Sequence, residues 1–343
     1  MTGGYKTIIF LFLSFWIYES KAQEYDFSIN WAGEEAISLT VNTQEFSALN
    51  VRLQGKNQKI TGAVSAHENT QFTPYFPFSI GATYEVFDGE KLLFSFTPQK
   101  ELKSPEVKNV FPLADELPEN FLKFYIRFDQ PMATGHVYDY LQLLSDAKEI
   151  ENALIPLKPE LWDANKQLLT VWIDPGRIKR DLGPNIKYGA VLEAGNRYQL
   201  VVRKGLKAAN GANLEKSFLK SFKVIPRDEK IPSLDDWYLK TPSKNTIDSL
   251  SIKTQEAVDY TSHLFMTIYC EGQQFEGEFI FVSDTQISFV PEKEWSEGEY
   301  KLRVASKAED LAGNNLNRPF DLDLQEQATI SEQEFYEISF KIL

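Results

Sequence analysis

The sequence predicts an all-β protein built as a tandem array of antiparallel β-sandwich domains, and three observations lead to this prediction. A short polar-apolar pattern occurs three times along the chain. Each copy is followed by a glycine turn that leads into a strand bearing a tyrosine, and each unit then closes on a further strand. Amphipathic helices are nearly absent, with HVYDYLQLL (136–144) as a short helical candidate. Repeats of this kind are typical of domains arranged in series.

The repeated pattern consists of Asn or Asp, a spacer, Gln and then alternating apolar residues. Its copies are NTQFTPYF (69–76), NKQLLTVWI (165–173) and DTQISFV (284–290). The glycine turns and tyrosine strands that follow are IGATYEVF (80–87), EAGNRYQLVV (193–202) and SEGEYKLRV (296–304). The spacing from glycine to tyrosine is one residue shorter in the last copy. Alternation of this kind indicates half-buried strands.

The closing strands have the same character in all three units. They are LLFSFTP (92–98), SFLKSFKVIP (217–226) and FYEISFKIL (335–343). In the last of these, Tyr336, Ile338, Phe340 and Ile342 fall on one face, and Glu337, Ser339 and Lys341 on the other. We expect the first face to be buried and the second to face solvent.

Residues 1–22 have the layout of a secretory signal peptide, which predicts an exported protein. Lys6 precedes an apolar run over residues 7–16, and Ser20 and Ala22 supply small residues ahead of a cleavage site before Gln23. The run is too short to cross ~30 Å of hydrocarbon as a helix, which needs about 20 residues. No later segment is apolar enough to span a membrane, so we expect no membrane span.

Prolines and clusters of charged residues mark the boundaries between the expected domains. They occur in QKELKSPE (99–106) and IPRDEKIPSLDD (225–236). The sequence therefore predicts a small β-sandwich at 23–103 and further sandwiches at 104–228 and 229–343.

Three strings in the predicted second and third domains share a pattern of strands and turns. They are FYIRFDQPMATGHV (124–137), KAANGANLEKSFLKSFKV (207–224) and KAEDLAGNNLNRPFDLDL (307–324). The first resembles the opening strand, with its Pro-Met turn, of bacterial Ig-like domains of the S-layer type, and the other two resemble the later Asp/Asn-x-x-Gly-x-x-Leu turn of those domains. In the third domain, LSIKTQEAVD (250–259) departs from the pattern by lacking the proline. The resemblance implies an Ig-like fold and a spacer, adhesive or accessory role in the bacterial envelope, either periplasmic or at the cell surface.

The charge of the chain argues against a nucleic-acid partner. The formal net charge is −13, and it would be −14 without residues 1–22. Binding nucleic acid requires clustered Lys and Arg. A single cysteine, Cys270, excludes an intramolecular disulfide framework.

Sequence motifs for catalysis, cofactors or metals are absent. The histidines, His67, His136 and His263, lack metal-ligand spacing, and no nucleophile elbow, P-loop or dinucleotide fingerprint occurs. We therefore expect a non-enzyme without a cofactor. The segment EDLAGNN (309–315) offers oxygen ligands that suit calcium, but Asp310, Gly313 and Asn314 equally suit a tight turn. The corresponding turn AANGAN (208–213) contains no acid, which favours the turn over a metal site.

Two tryptophans are candidates for stacking on sugar rings. Trp162 and Trp237 lie beside acids near predicted turns. They support an alternative hypothesis, a carbohydrate-binding accessory protein, although packing explains most tryptophans.

The most distinctive stretch is IDPGRIKRDLGPNIKYG (173–189), which is an insertion by comparison with the other units. Gln167 and Tyr198 are 31 residues apart, against 13 for Gln71 to Tyr84 and 14 for Gln286 to Tyr300. Long connections between strands are often functional. The apolar side chains expected to hold the insertion in place are Ile173, Ile178, Leu182, Ile186 and Tyr188, and Pro175 and Pro184 limit its freedom.

The insertion, loop 174–190 of the second domain, is also basic in an acidic protein. Its cations are Arg177, Lys179, Arg180 and Lys187. We expect these four residues and Tyr188 to contact an acidic partner, an envelope protein or an anionic glycan. The alternative is that the loop packs on acidic surface of its own chain, for example on residues 225–236, and stiffens the array.

Overall fold

A computed structural model describes residues 25–33, 35–43, 46–99, 102–180, 182–321 and 332–343. The predicted signal peptide lies outside these residues. The chain divides into two compact units, residues 1–101 and 102–343. In the described part of the chain no helix is both long enough and apolar enough to cross a membrane.

In its described residues, the first unit is a sandwich of seven strands. Its strands are β1 Phe27–Ala32, β2 Glu35–Val41, β3 Leu49–Leu53, β4 Gly62–Ala66, β5 Thr70–Pro74, β6 Tyr84–Asp88 and β7 Lys91–Phe96. One sheet has the order β1-β2-β5-β4 and the other β3-β6-β7, with antiparallel pairing throughout. Alternate residues such as Leu39, Val51, Phe72 and Val86 fill the core between the sheets.

The second unit begins with a sandwich between residues 107 and 225. Its elements are β8 Val107–Phe111, β9 Glu116–Pro118, β10 Lys123–Phe128, a 3₁₀ turn η1 Val137–Tyr140, β11 Leu141–Ser145, β12 Lys148–Glu149, β13 Leu161–Trp162, β14 Leu168–Trp172, α1 Pro175–Ile178, α2 Gly183–Tyr188, β15 Arg197–Val202 and β16 Phe218–Ile225. The sheets are β13-β14-β10-β8 and β12-β11-β15-β16-β9, and only the β16–β9 pair is parallel among the described strands.

A second sandwich between residues 234 and 342 completes this unit. The two sandwiches of this unit are called domain two and domain three below. Its elements are η2 Leu234–Asp236, β17 Tyr238–Lys240, β18 Leu250–Lys253, η3 Tyr260–Phe265, β19 Met266–Cys270, β20 Gln273–Gln274, β21 Gly277–Ser283, β22 Gln286–Pro291, β23 Gly298–Ala305 and β24 Phe335–Ile342. The sheets are β17-β18-β22-β21 and β20-β19-β23-β24. The prediction of an all-β tandem array of sandwiches is therefore confirmed.

The short helical candidate at 136–144 is instead the turn η1 followed by strand β11. Leu141 and Leu143 are buried on one face of that strand, while Gln142 is less buried. A strand is favoured over a helix here because side chains two residues apart point to the same face of a sheet, which lets both leucines pack into the core.

The repeated tyrosine has the same structural role in all three sandwiches. Tyr84, Tyr198 and Tyr300 are buried. Each phenolic oxygen accepts a backbone N–H from just before the glycine turn: Ser79 N at 2.8 Å, Glu193 N at 2.9 Å and Ser296 N at 3.2 Å. These bonds span five, five and four residues, which accounts for the shorter glycine-to-tyrosine spacing in the last copy. The repeat therefore encodes a hydrogen-bonded corner at the entry of a strand.

Candidate functional site

The insertion lies between β14 and β15 and folds into the two short helices α1 and α2. The Asp174 carboxylate accepts the Gly176 N–H at 2.8 Å and caps α1, and Pro175 occupies the first helical position, where its missing N–H costs nothing. Gly189 ends α2 with φ +75°, a conformation that glycine adopts without a Cβ penalty. Ile173 and Ile178 are buried in the domain-two core and anchor the start of the segment.

Arg177 is buried inside the insertion, with 5% of its surface exposed. Its guanidinium donates to five backbone carbonyls, those of Glu151 at 2.9 Å, Gly189 at 3.0 Å, Ala190 at 3.3 Å, and Asn152 and Tyr188 at 3.4 Å. These bonds tie α1 to the end of α2 and to the β12–β13 connection. The expectation that Arg177 meets a partner at the surface therefore does not match its position, because its planar fork of donors satisfies carbonyls that burial would leave unpaired.

Lys179 and Arg180 contact other parts of their own chain. The Lys179 Nζ atom lies 4.3 Å from the centroid of the Phe320 ring. The Arg180 Nη2 atom donates to the Glu229 carboxylate at 2.5 Å, and the Arg180 backbone N–H donates to Asp321 at 3.3 Å. Arg227, from the 225–236 linker, joins the same cluster by donating to Asp321 at 2.8 Å and to the Ile178 carbonyl at 3.0 Å. This end of the insertion thus packs on the linker and on domain three.

The outer side of α2 has the opposite character, because it exposes large apolar side chains. Leu182, Ile186 and Tyr188 are 43%, 74% and 56% exposed. The expectation that these three side chains hold the insertion in place is therefore wrong, since Ile173, Ile178 and the Arg177 bonds do so instead. Lys187 is also exposed, and its Nζ atom lies 4.6 Å from the centroid of the Tyr188 ring. We call Leu182, Ile186, Lys187 and Tyr188 the α2 ridge.

Domains two and three meet through a buried polar cluster that the sequence did not reveal. The Lys123 Nζ atom lies 2.7 Å from a Glu309 oxygen and 3.3 Å from an Asp259 oxygen. The Tyr125 hydroxyl donates to the Asp259 carboxylate at 2.7 Å. Burial by itself would lower the pKa of Lys123, because it disfavours the charged amine. The nearby Asp259 and Glu309 carboxylates have the larger effect, so the pKa of Lys123 is raised. Burial and the Asp259 charge both raise the pKa of Tyr125, so its hydroxyl remains a donor.

Aromatic and apolar contacts surround this cluster. Phe111 stacks on Tyr260 with ring centroids 4.2 Å apart, and Phe281 meets Phe111 edge-on at 5.5 Å. The Arg127 guanidinium donates to the Tyr260 hydroxyl. Leu311 of domain three belongs to the core cluster of domain two. The interface therefore resembles a continuous core, and we expect the two domains to behave as one body.

A turn of domain three, residues 308–316, inserts its backbone into this interface. The Asp310 carboxylate accepts the backbone N–H groups of Ala312 at 2.8 Å and Asn314 at 2.9 Å, and the Asn314 side-chain amide at 2.7 Å. Burial raises the pKa of Asp310 to about 8, against the lowering effect of the Asn314 bonds. Gly313 adopts φ +79°. Asp310 and Asn314 thus have the turn role that was the alternative to calcium, and the described residues contain no group of three or more metal-ligating side chains.

A second acid, Asp284, caps backbone of the neighbouring domain. Its carboxylate accepts the Leu113 N–H at 3.0 Å and the Ala114 N–H at 2.5 Å. The Lys220 Nζ atom donates to the Leu113 carbonyl at 3.3 Å and to the Ala114 carbonyl at 3.1 Å. Burial raises the pKa of Asp284 and lowers that of Lys220.

The two tryptophans proposed for sugar stacking are both engaged in packing. Trp237 is 9% exposed and belongs to the domain-three core, so its surface position was predicted wrongly. Its neighbours Asp235 and Asp236 face solvent, while Trp237, the residue between η2 and β17, packs into the core. Trp162 is half-buried against Phe128, at 5.8 Å between ring centroids, and its indole N–H donates to Glu160 at 2.7 Å.

Comparison with known proteins finds structural neighbours but no family. No family model matches the chain, and no curated protein matches it. Domains A168-A170 of titin are similar in structure at 9% identity and a TM-score of 0.27, over 80% of this chain and 87% of that chain. Extracellular domains 3-5 of Drosophila OTK match at 10% identity and a TM-score of 0.15, over 90% and 92%. The S-layer protein SbsC matches at 11% identity and a TM-score of 0.17, over 90% of this chain and 52% of that chain.

Proposed function

We propose that this protein is an exported, non-enzymatic Ig-like protein of a bacterial envelope, in the periplasm or at the cell surface, that acts as a structural and binding module. Its contact surface in this proposal is the α2 ridge, Leu182, Ile186, Lys187 and Tyr188. The observation that carries the proposal is the exposure of three large apolar side chains on an insertion whose Arg177 is buried and bonded to five backbone carbonyls.

Preorganisation supports a binding role for this insertion. The five carbonyl bonds of Arg177 and the contacts of Lys179 and Arg180 fix the position of α1 and the linker. A surface held in place before binding loses less conformational entropy when a partner docks. The cations expected to grip a partner thus divide into two groups, with Arg177, Lys179 and Arg180 supporting the segment and Lys187 left to meet the partner.

The chemistry of the α2 ridge favours a protein over an anionic glycan. Tyrosine is enriched at the energetic centres of protein interfaces, and a group of exposed apolar side chains is typical of a protein-binding site. A flanking lysine would select an acidic rim on the partner. An anionic glycan would instead need several exposed cations to pair with its charges.

A substitution test distinguishes specific binding by the α2 ridge from nonspecific binding by exposed apolar side chains. The triple variant Ile186→Ser, Lys187→Ser, Tyr188→Ser should lose capture of partners from an envelope extract of the source cells, with unchanged thermal stability. The matched control is Tyr238→Ser with Ile247→Ser, whose side chains are 65% and 64% exposed on domain three. Quantitative mass spectrometry of the captured proteins, and a parallel panel of anionic polysaccharides, provide the readout. Equal capture by the ridge variant and the native protein would refute the proposal.

A further inference from the structure

Strand β24 has an open outer edge among the described residues. It is the last strand in the order β20-β19-β23-β24 and is eight residues long, Phe335–Ile342. The turn η2 approaches β24, but no backbone hydrogen bond joins the two among the described residues. An unpaired strand edge is a template for another strand.

The second domain provides an internal comparison, because the equivalent edge is covered there. Tyr198 pairs with Phe222 as Tyr300 pairs with Phe340, so Lys223 of β16 corresponds to Lys341 of β24. The Lys223 N–H donates to the Asp115 carbonyl at 2.8 Å, where β9 runs along β16. No strand corresponding to β9 lies on β24 in the part of the chain that the structure describes.

The direction of the backbone groups of β24 follows from one hydrogen bond at its start. The Ser306 N–H donates to the Glu334 carbonyl on the β23 side at 3.0 Å. Backbone groups alternate in direction along a strand, so the even-numbered residues of β24 bond to β23. The odd-numbered residues Phe335, Glu337, Ser339 and Lys341 therefore direct their N–H and C=O groups to the open edge.

The charge pattern on these odd-numbered residues is self-complementary about Ser339. In an antiparallel pair of two copies centred on Ser339, Glu337 of each copy lies opposite Lys341 of the other. Within one chain Glu337 already pairs with Lys301 and Arg303, and Lys341 pairs with Glu299, so each contact between copies extends an ion pair on the same face of the sheet. Centring the pair on Glu337 or on Lys341 instead places like charges directly opposite each other, which is destabilising. The apolar face continues as well, because Ile338 comes opposite Phe340 of the second copy.

We infer that the edge of β24 binds a second copy of this chain, in antiparallel register with a two-fold axis at Ser339. The two four-stranded sheets then form one continuous eight-stranded sheet. A C2 interface of this kind uses the same patch twice, as the self-complementary charges require. Strand pairing alone buries less surface than most stable dimers, so the association should depend on protein concentration.

Sedimentation equilibrium of the purified full chain tests the pairing itself. The native protein should approach twice the monomer mass as its concentration rises. Ser339→Pro removes an N–H that bonds no partner among the described residues of the single chain, so the fold should survive while the pairing is lost. Ser339→Thr keeps the N–H and should still associate. Lys341→Glu places two pairs of like charges across the axis and should weaken association roughly tenfold. Because Lys341 also pairs with Glu299 of its own chain, Glu299→Lys is combined with Lys341→Glu to restore that internal pair, and the double variant should still associate weakly.

Disulfide cross-linking tests the register and does not depend on proline being tolerated. In a Cys270→Ala background, Ser339→Cys brings two cysteines to a Cα separation of about 5.5 Å, within disulfide range. Lys341→Cys is the matched control, because its two copies lie about 14 Å apart along the strand. Rapid cross-linking of the first variant alone supports the proposal.

A native protein that stays monomeric at every concentration would overturn the inference, as would equal cross-linking at positions 339 and 341. If the native protein instead stays monomeric and captures a different protein that the Ser339→Pro variant does not bind, the edge of β24 binds a strand from another protein. In that case the inference of pairing between two copies is wrong. The α2 ridge lies outside this edge, so failure here leaves the proposed partner surface untouched.

Discussion

Arg177 and Arg180 lie three positions apart in the same basic stretch, yet they have different physical roles. Arg177 is 5% exposed and bonds only to carbonyls of its own domain. The Arg180 side chain is 59% exposed and forms an ion pair with Glu229. A buried multidentate donor contributes far more to stability than an exposed ion pair, which is screened by water and salt.

This difference predicts the outcome of two matched substitutions. Arg177→Ala leaves five carbonyls without their donor and should lower the free energy of unfolding by about 2–4 kcal/mol. Arg180→Ala should cost less than about 1 kcal/mol. Urea unfolding followed by tryptophan fluorescence measures both changes. Similar midpoints for the two variants would contradict the role assigned to Arg177.

At the scale of elements, turns determine how the two sandwiches of the second unit meet. The 308–316 turn brings Gly313 against domain two with φ +79°. A Cβ atom at Gly313 would lie 2.3 Å from the Cδ1 atom of Leu122, the residue before β10, so the Leu122 side chain would have to move to admit one. Both faces of β10 are buried except at Arg127, because Lys123 and Tyr125 on its outer face contact domain three.

A pair of glycine variants separates this close approach from backbone strain. Gly313→Ala should destabilise the 102–343 unit by about 2–3 kcal/mol, from positive φ together with the clash against Leu122. Gly272→Ala has the same φ of +79° and open space around its Cβ position, so it should cost only about 1 kcal/mol. Differential scanning calorimetry of both variants measures the excess. Equal losses would show that the contact with Leu122 is unimportant.

At the scale of the whole molecule, the sandwiches of the second unit share buried acids, so its stability should depend on pH. Burial raises the pKa of Asp310 to about 8, while in the unfolded chain its pKa returns to the ordinary aspartate value of 3.8. The folded state then keeps a proton that the unfolded state has lost, and stability falls as pH rises from about 4 to about 8. Burial also raises the pKa of Asp284 and Glu256, with the same sign.

Burial lowers the pKa of His263 below its usual value, so this residue makes the folded state more stable as pH rises toward about 6.5. Above about pH 6.5 the histidine is neutral in both states, and its contribution no longer changes. Between about pH 6.5 and 8, the free energy of unfolding should therefore fall by about 1–2 kcal/mol. Asp310→Asn should flatten this slope, whereas Asp139→Asn, at an exposed site, should not. Urea titrations at several pH values provide the test. A slope that persists in Asp310→Asn would assign the pH dependence to other groups.

The sequence by itself determined the class of fold and the position of the insertion. Period-2 alternation reports which faces are buried, and the repeated tyrosine records a local corner bond of four or five residues. Both patterns depend on residues that are close together in sequence, so they can be recognised from a single sequence. The length difference between repeats likewise located residues 173–190 without any knowledge of their contacts.

Only the tertiary structure decided what the residues of the insertion do. Arg177 and Lys187 have the same charge and similar neighbours in sequence, but one points into a cage of carbonyls and the other into solvent. The domain interface was also hidden, because Lys123, Tyr125 and Arg127 alternate along β10 as a solvent face would. Their partners Asp259, Tyr260 and Glu309 lie more than 130 residues away. Burial by a second domain depends on how the sandwiches dock, and period-2 patterning carries no information about docking.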